Sequence, residues 1–146
     1  MGLGKTVQAI AAMVSLRNAG AKRFLVVCPA SVLTNWCRGI NKMSDLNVIK
    51  IHGNDRLESI RKWISDGGVG VTTYEKTVHF KEVQDEPIDM IVVDEAHYIK
   101  NEKAQRSINT RNLCKNSSNI LLMAGTPLEN RIEEMISLIR ILRPED

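Results

Sequence analysis

The chain has 146 residues, with 20 Lys+Arg against 17 Asp+Glu (net charge +3), 43% hydrophobic and 25% charged residues. That is the length of one domain and the composition of an ordinary globular protein, which excludes disordered, collagen-like and coiled-coil classes. No apolar run reaches the ~18 residues that span a bilayer, and the opening MGLGKT lacks the regions of a secretory signal, so no membrane partner and an intracellular setting are expected. Cys28, Cys37 and Cys114 form no CxxC pair and leave an odd count, which points to reduced thiols and not to a zinc or disulfide framework. Charge is uneven: residues 1–73 carry 10 basic and 4 acidic side chains, and residues 74–146 carry 10 and 13. A total of +3 does not by itself argue for nucleic acid, whose electrostatic footprint is a clustered patch.

In chain order, residues 6–19 place Val7, Ile10, Ala11 and Val14 at helical spacing, and Gly20 supplies a stop. Residues 23–28 (RFLVVC) form a short, almost continuous apolar run closed by Pro29, as a strand buried on both faces requires. Ser31 is read as an N-cap, followed by Val32, Leu33, Trp36 and Ile40 at helical spacing. Residues 47–51 read as a strand, and Gly53, Asn54 and Asp55 open a helix running through Trp63. Gly67 and Gly68 mark a turn, residues 69–73 a strand, and a weak helix follows Tyr74. After a loop at 85–87, residues 90–93 (MIVV) form another buried strand. Residues 104–115 read as a polar helix, 119–123 as a final strand and 132–142 as a closing helix. Strands alternating with helices predict an α/β fold: a mostly parallel sheet with helices on both faces, in one domain without repeats or a linker. The first helix has no strand before it.

Gly2, Gly4, Lys5 and Thr6 form the end of a phosphate-binding loop running directly into a helix. Glycines let backbone N–H groups close around a phosphate, and the helix N-terminus adds favourable partial charge. Lys5 can reach the β- and γ-phosphates, and the Thr6 hydroxyl can ligate magnesium. A glycine-rich turn beside a surface lysine is the plain alternative. A second element lies at residues 91–97 (IVVDEAH), where a buried strand ends in Asp94 and Glu95 at the carboxyl edge of the sheet. Asp94 suits magnesium held through water, and Glu95 suits orienting or deprotonating the attacking water. His97 lacks the HExxH spacing of a zinc site and is assigned hydrogen bonding. Lys100, Lys103, Arg106, Arg111 and Lys115 face only Glu102 among acids, either as a solvated helix or as a phosphate-contacting face.

MGLGKT, PASVLTNW, TTYE, VVDEAHYIKN and AGTPLEN occur in this order over nearly the whole chain, which resembles the first RecA-like lobe of the Swi/Snf-type ATPases of the second helicase superfamily. The resemblance implies an ATP- and Mg2+-dependent motor that tracks along double-stranded DNA through its backbone and remodels protein–DNA complexes. Gly2, Gly4, Lys5 and Thr6 resemble the family's first motif, and Asp94, Glu95, Ala96 and His97 its second. Pro29, Ser31, Asn35 and Trp36 resemble its DNA-side motif, and Thr73 and Tyr74 another backbone-contacting element. Trp36 itself is expected to pack in the core, because its ring lies on an apolar helix face. Lys100 and Asn101 resemble the extension of the second motif, and Gly125, Thr126, Pro127, Leu128 and Asn130 the third, which with His97 couples the lobes. This chain has Ala124 where the family has threonine or serine, Glu129 for glutamine and Gly39 for glutamate. The resemblance also implies a first strand and a second lobe outside these residues, so residues 1–146 are expected to form one partial lobe. Cellular placement follows the source, cytoplasmic in a bacterium and nuclear in a eukaryote. Two other readings stand beside this one: a non-catalytic nucleotide- or DNA-binding module, and a small P-loop kinase or GTPase. AGTPLEN after DEAH and the lack of an NKxD-like sequence argue against the last.

Overall fold

The computed structural model describes residues 2–83, 86–96 and 103–123, with residues 2–5 and 82 described by their backbone alone. Helix α1 (Gly2–Asn18) leads into strand β1 (Arg23–Cys28), then α2 (Leu33–Met43), β2 (Val48–Ile51), α3 (Arg56–Asp66) and β3 (Gly68–Thr73). A 3-10 segment, Glu75–Val83, connects to β4 (Met90–Val93), and α4 (Gln105–Lys115) and β5 (Ile120–Leu122) complete the described chain. The expected closing helix over 132–142 lies outside the described residues.

The five strands make one all-parallel sheet in the order β2-β3-β1-β4-β5. The connections obey the right-handed crossover rule. From β1 the chain moves toward β2 with α2 on one face, and every later step moves the opposite way with α3, the 3-10 segment and α4 on the other. Alternating strand residues therefore feed two cores. Phe24, Val26, Val71 and Val92 pack beneath α1 and α2, and Leu25, Val27, Ile91 and Val93 pack against α3 and α4.

Strands β1 and β4 match expectation residue for residue, because each is an unbroken apolar run closed by a residue that ends pairing. Helix α1 starts four residues earlier than expected, so Gly2 and Gly4 are already helical and the amides of this first turn have no intrahelical acceptor. Ser31 is not the cap of α2. Pro29 fixes its own φ at −63°, and the Ala30–Val32 3-10 turn that follows leaves Val32 at the cap position with no side-chain hydrogen bond. Gly67 and Gly68 hold φ of 78° and 100°, and a Cβ on either would lie under 3 Å from the carbonyl oxygen of Lys22 or Asn47. Helix α4 is polar, as its sequence indicated, yet it buries Ser107, Asn109 and Thr110 beside Leu113 and Cys114. Thr110 satisfies its hydroxyl on the Arg106 carbonyl (2.7 Å), so burial costs it no hydrogen bond.

Candidate functional site

Because all strands are parallel, their carboxyl ends open on one edge. Between β1 and β4 the chain reverses its direction of travel across the sheet, the kind of position where ligands bind in open α/β sheets. The 17-residue α1 is about 25 Å long and feeds the start of β1, so its first turn also lies toward this edge. Sequence order thus brings Gly2–Thr6, Ser31–Asn35 and Asp94–Glu95 to one side of the molecule. Thr6 is half-buried against α2, where a Cβ at Gly39 would lie 3.8 Å from its methyl group. Ser31 and Asn35 are exposed, as a contact to an external backbone requires. His97, Gly125 and Thr126 lie outside the described residues.

The turn after β4 is tied down on several sides. Asp94 N–H donates to the Val27 carbonyl and Ala96 N–H to that of Met123, both at 2.8 Å, tying the turn to β1 and to the residue after β5. Glu95 has φ of 57°, the only non-glycine residue among those described in the left-handed region. Two aromatic side chains reach this corner from opposite faces of the sheet. From the α2 side, Trp36 Nε1–H donates to Asp94 Oδ2 at 2.8 Å. From the end of β3, Tyr74 Oη–H donates to the Asp94 carbonyl and lies 3.2 Å from that of Glu95.

The side chains of Thr73 and Tyr74, expected at the nucleic-acid side, turn inward in this structure. Both are buried, and Tyr74 is spent on the main chain of the Asp94–Glu95 turn. The Thr73 hydroxyl is buried and has no hydrogen-bond partner among the described residues. Burial, and next the Asp94 charge, push the Tyr74 hydroxyl well above the ordinary phenol range, which keeps it a donor. The same two causes, in the same order, push the Cys28 thiol far up, so it stays protonated. Trp36 packs in the core as expected, but its N–H goes to the one carboxylate proposed to face metal. Spacing gave no signal for that pairing.

Sequence reading also missed a gathering of basic residue types beyond the ends of β2 and β3. His79 is held below the ordinary imidazole range by burial first, then by Arg56 and Lys76. These three residues come from the start of α3 and from the 3-10 segment, elements that begin at the same carboxyl edge. In the expected basic stretch, Arg106 pairs with Glu75 at 3.7 Å and Arg111 bonds its own helix at the Ser107 carbonyl.

The donor set fits a magnesium–nucleotide ligand. Asp94 Oδ2 is occupied by Trp36, and no donor among the described residues meets Oδ1. Among the described residues no three His, Cys, Asp or Glu side chains gather into a protein cage. One open carboxylate oxygen is how Mg2+ is commonly held when substrate phosphates and water complete its shell. No helix among the described residues is long and apolar enough to cross a membrane.

The chain is similar to several known proteins over almost its whole length. The chain is 34% identical to the ATP-dependent helicase fft1 of Schizosaccharomyces pombe, over 99% of this chain and 16% of that protein. It is 37% identical to the ISWI chromatin-remodeling complex ATPase ISW1 of Saccharomyces cerevisiae, over 99% of this chain and 13% of that protein. Among solved structures it superposes on the Sulfolobus solfataricus SWI2/SNF2 ATPase core in complex with dsDNA with a TM-score of 0.84 and 31% identity, covering 99% of this chain and 30% of that one. The RecA-like fold is therefore shown, and the chain spans well under a fifth of these two curated relatives. The SNF2-related domain profile matches residues 1–146, and the chain belongs to that family.

Proposed function

We propose that residues 1–146 form the ATP-binding part of a motor that tracks along double-stranded DNA and couples hydrolysis to remodelling of protein–DNA contacts. The observation that carries this reading is the strained Asp94–Glu95 corner, held from both sheet faces at the edge that also receives the first turn of α1. Bound Mg–ATP supplies the transferable phosphoryl group and neutralises its charge. The amides of Gly2–Lys5 cradle phosphate, the Lys5 amine reaches the outer phosphates, and the Thr6 hydroxyl with Asp94 holds the metal. Glu95 orients the attacking water and accepts its proton. Exposed Ser31 and Asn35, with the Arg56, Lys76 and His79 group farther along the edge, offer phosphate-directed contacts without base readout. His97, Gly125 and Thr126 couple this lobe to a second one. Turnover by the lobe alone stays near background, since a partner lobe closes the site and brings the transition-state arginine, a group worth about 10³–10⁵ in rate. The names of the relatives support chromatin as the setting in a eukaryote.

Calorimetry with Mg–ATP tests the reading. Wild-type chain should bind, and Lys5→Ala and Asp94→Ala should each weaken binding about tenfold or more, since each removes a charged contact. Unchanged affinity in Lys5→Ala would show that the first turn of α1 is not the phosphate site.

A further inference from the structure

The chemistry proposed above makes no use of Trp36, yet Trp36 touches its central carboxylate. The ring is buried on the face of α2 that also carries Leu33 and Ile40. Hydrophobic burial alone explains the ring but not the partner of its N–H. A backbone carbonyl would satisfy an indole, and one does so for Trp63, whose Nε1–H donates to the Phe24 carbonyl at 2.8 Å. Trp36 instead spends its donor on Asp94 Oδ2 at 2.8 Å, a bond between residues 58 apart in sequence. A bond to an ionised acceptor is stronger and more directional than one to a carbonyl. Tyr74 and the Asp94 N–H already fix the main chain of this turn, so the side-chain torsions of Asp94 are the freedom that remains. Trp36 removes that freedom and leaves Oδ1 as the oxygen open to the metal.

The residue before Trp36 points elsewhere. Asn35 is exposed, as is Ser31 in the turn that leads into α2. One helix turn thus carries an outward amide beside an inward indole, and close packing around Leu33, Trp36 and Ile40 transmits strain along the helix. We propose that α2 is a lever: backbone phosphates held at Ser31 and Asn35 shift Trp36, and Trp36, as a positioning residue, sets the Asp94 carboxylate for magnesium. This deepens the reading above and rests on Asp94 being the metal-side residue.

The test uses the complete protein that carries this domain, labelled with 5-fluorotryptophan. Resonances of Trp36 and Trp63 are assigned with Trp36→Phe and followed by 19F NMR. Mg–ADP should shift the Trp36 signal and not that of Trp63, and Asp94→Ala should remove the shift. Duplex DNA should move the Trp36 signal in wild type and not in Asn35→Ala. In binding assays, Trp36→Phe should raise the magnesium needed for half-saturation about tenfold, as loss of a partner that orients a metal ligand does, while metal-free nucleotide affinity stays within error. Adding Trp36→Phe to Asp94→Ala should cost nothing further. If Asp94→Ala abolishes the magnesium dependence but the Trp36 signal ignores both Mg–ADP and DNA, the lever is wrong and the site reading stands. If Asp94→Ala leaves magnesium dependence intact, the site reading itself falls. Trp36→Tyr offers a second assignment, and the shifts themselves are read with both tryptophans present, so misfolding of Trp36→Phe leaves the lever open to refutation.

Discussion

A phenol at the end of a buried strand must find an acceptor for its hydroxyl, and Tyr74 finds the carbonyls of Asp94 and Glu95. That acceptor pair matters because Glu95 sits at φ 57°, a conformation that costs a non-glycine residue about 1 kcal/mol or more and persists only when its surroundings enforce it. Tyr74→Phe keeps the ring and deletes the clamp. It should lower unfolding free energy by about 1–2 kcal/mol in urea titrations, because half-buried carbonyls lose a donor. A loss below ~0.3 kcal/mol would show that the corner holds without the hydroxyl. Residue types and order made Asp94 and Glu95 legible, since a buried apolar run ending in two carboxylates has few other uses. The roles of Trp36 and Tyr74 were not legible in the same way. Their partners lie 58 and 20 residues away, and only the β3-β1-β4 register brings them to the same corner.

Elements were legible where one physical signal dominated. The apolar runs gave β1 and β4 their true ends, while the helix starts at Gly2 and Leu33 depended on backbone geometry that composition does not encode. Two glycines separate packing from propensity. Gly39 lies inside α2, and a Cβ there would meet only ordinary contacts at 3.8 Å with Thr6 and Ile10. Gly39→Ala should therefore stabilise by about 0.5–1 kcal/mol through helix propensity alone. Gly70 lies in β3 beneath the pinned indole of Trp63, and a Cβ would sit 2.8 Å from Ile51 and 3.2 Å from Trp63. Gly70→Ala should cost about 1–3 kcal/mol by overpacking. Thermal melts of the two variants should move in opposite directions, and shifts of the same sign would refute this account of the two faces.

At the scale of the whole molecule, the most deeply buried thiol and phenol with raised values among the described residues, Cys28 and Tyr74, shape the alkaline response. The folded state raises the Cys28 thiol and the Tyr74 hydroxyl above their unfolded values, chiefly by burial. A raised value means that the folded state holds the proton more tightly. Stability from both groups is therefore complete below about pH 8.5, and the Cys28 share declines as pH rises past that ordinary thiol value and the Tyr74 share past the ordinary phenol value of about 10. Urea midpoints should hold level from pH 7 to 8 and then fall. Each group contributes a slope of about 1.4 kcal/mol per pH unit once its unfolded form ionises. Cys28→Ala should make that decline shallower, and an unchanged slope would remove Cys28 from the explanation.

The central position of β1 has a consequence for how the chain is made. Its partners are Gly68–Thr73 on one side and Met90–Val93 on the other, beginning 45 and 66 residues downstream. At the usual pace of synthesis, about 5–20 residues per second, β1 waits roughly 2–9 s for its first partner to be translated. Through that interval RFLVVC is an unpaired, strand-prone apolar segment, the kind that recruits neighbouring chains. Pro29 closes it at one end, and Lys22 and Arg23 place two positive charges at the other. A proline and flanking charges oppose strand-to-strand association, so the residues that end β1 in the finished sheet also guard it on the ribosome.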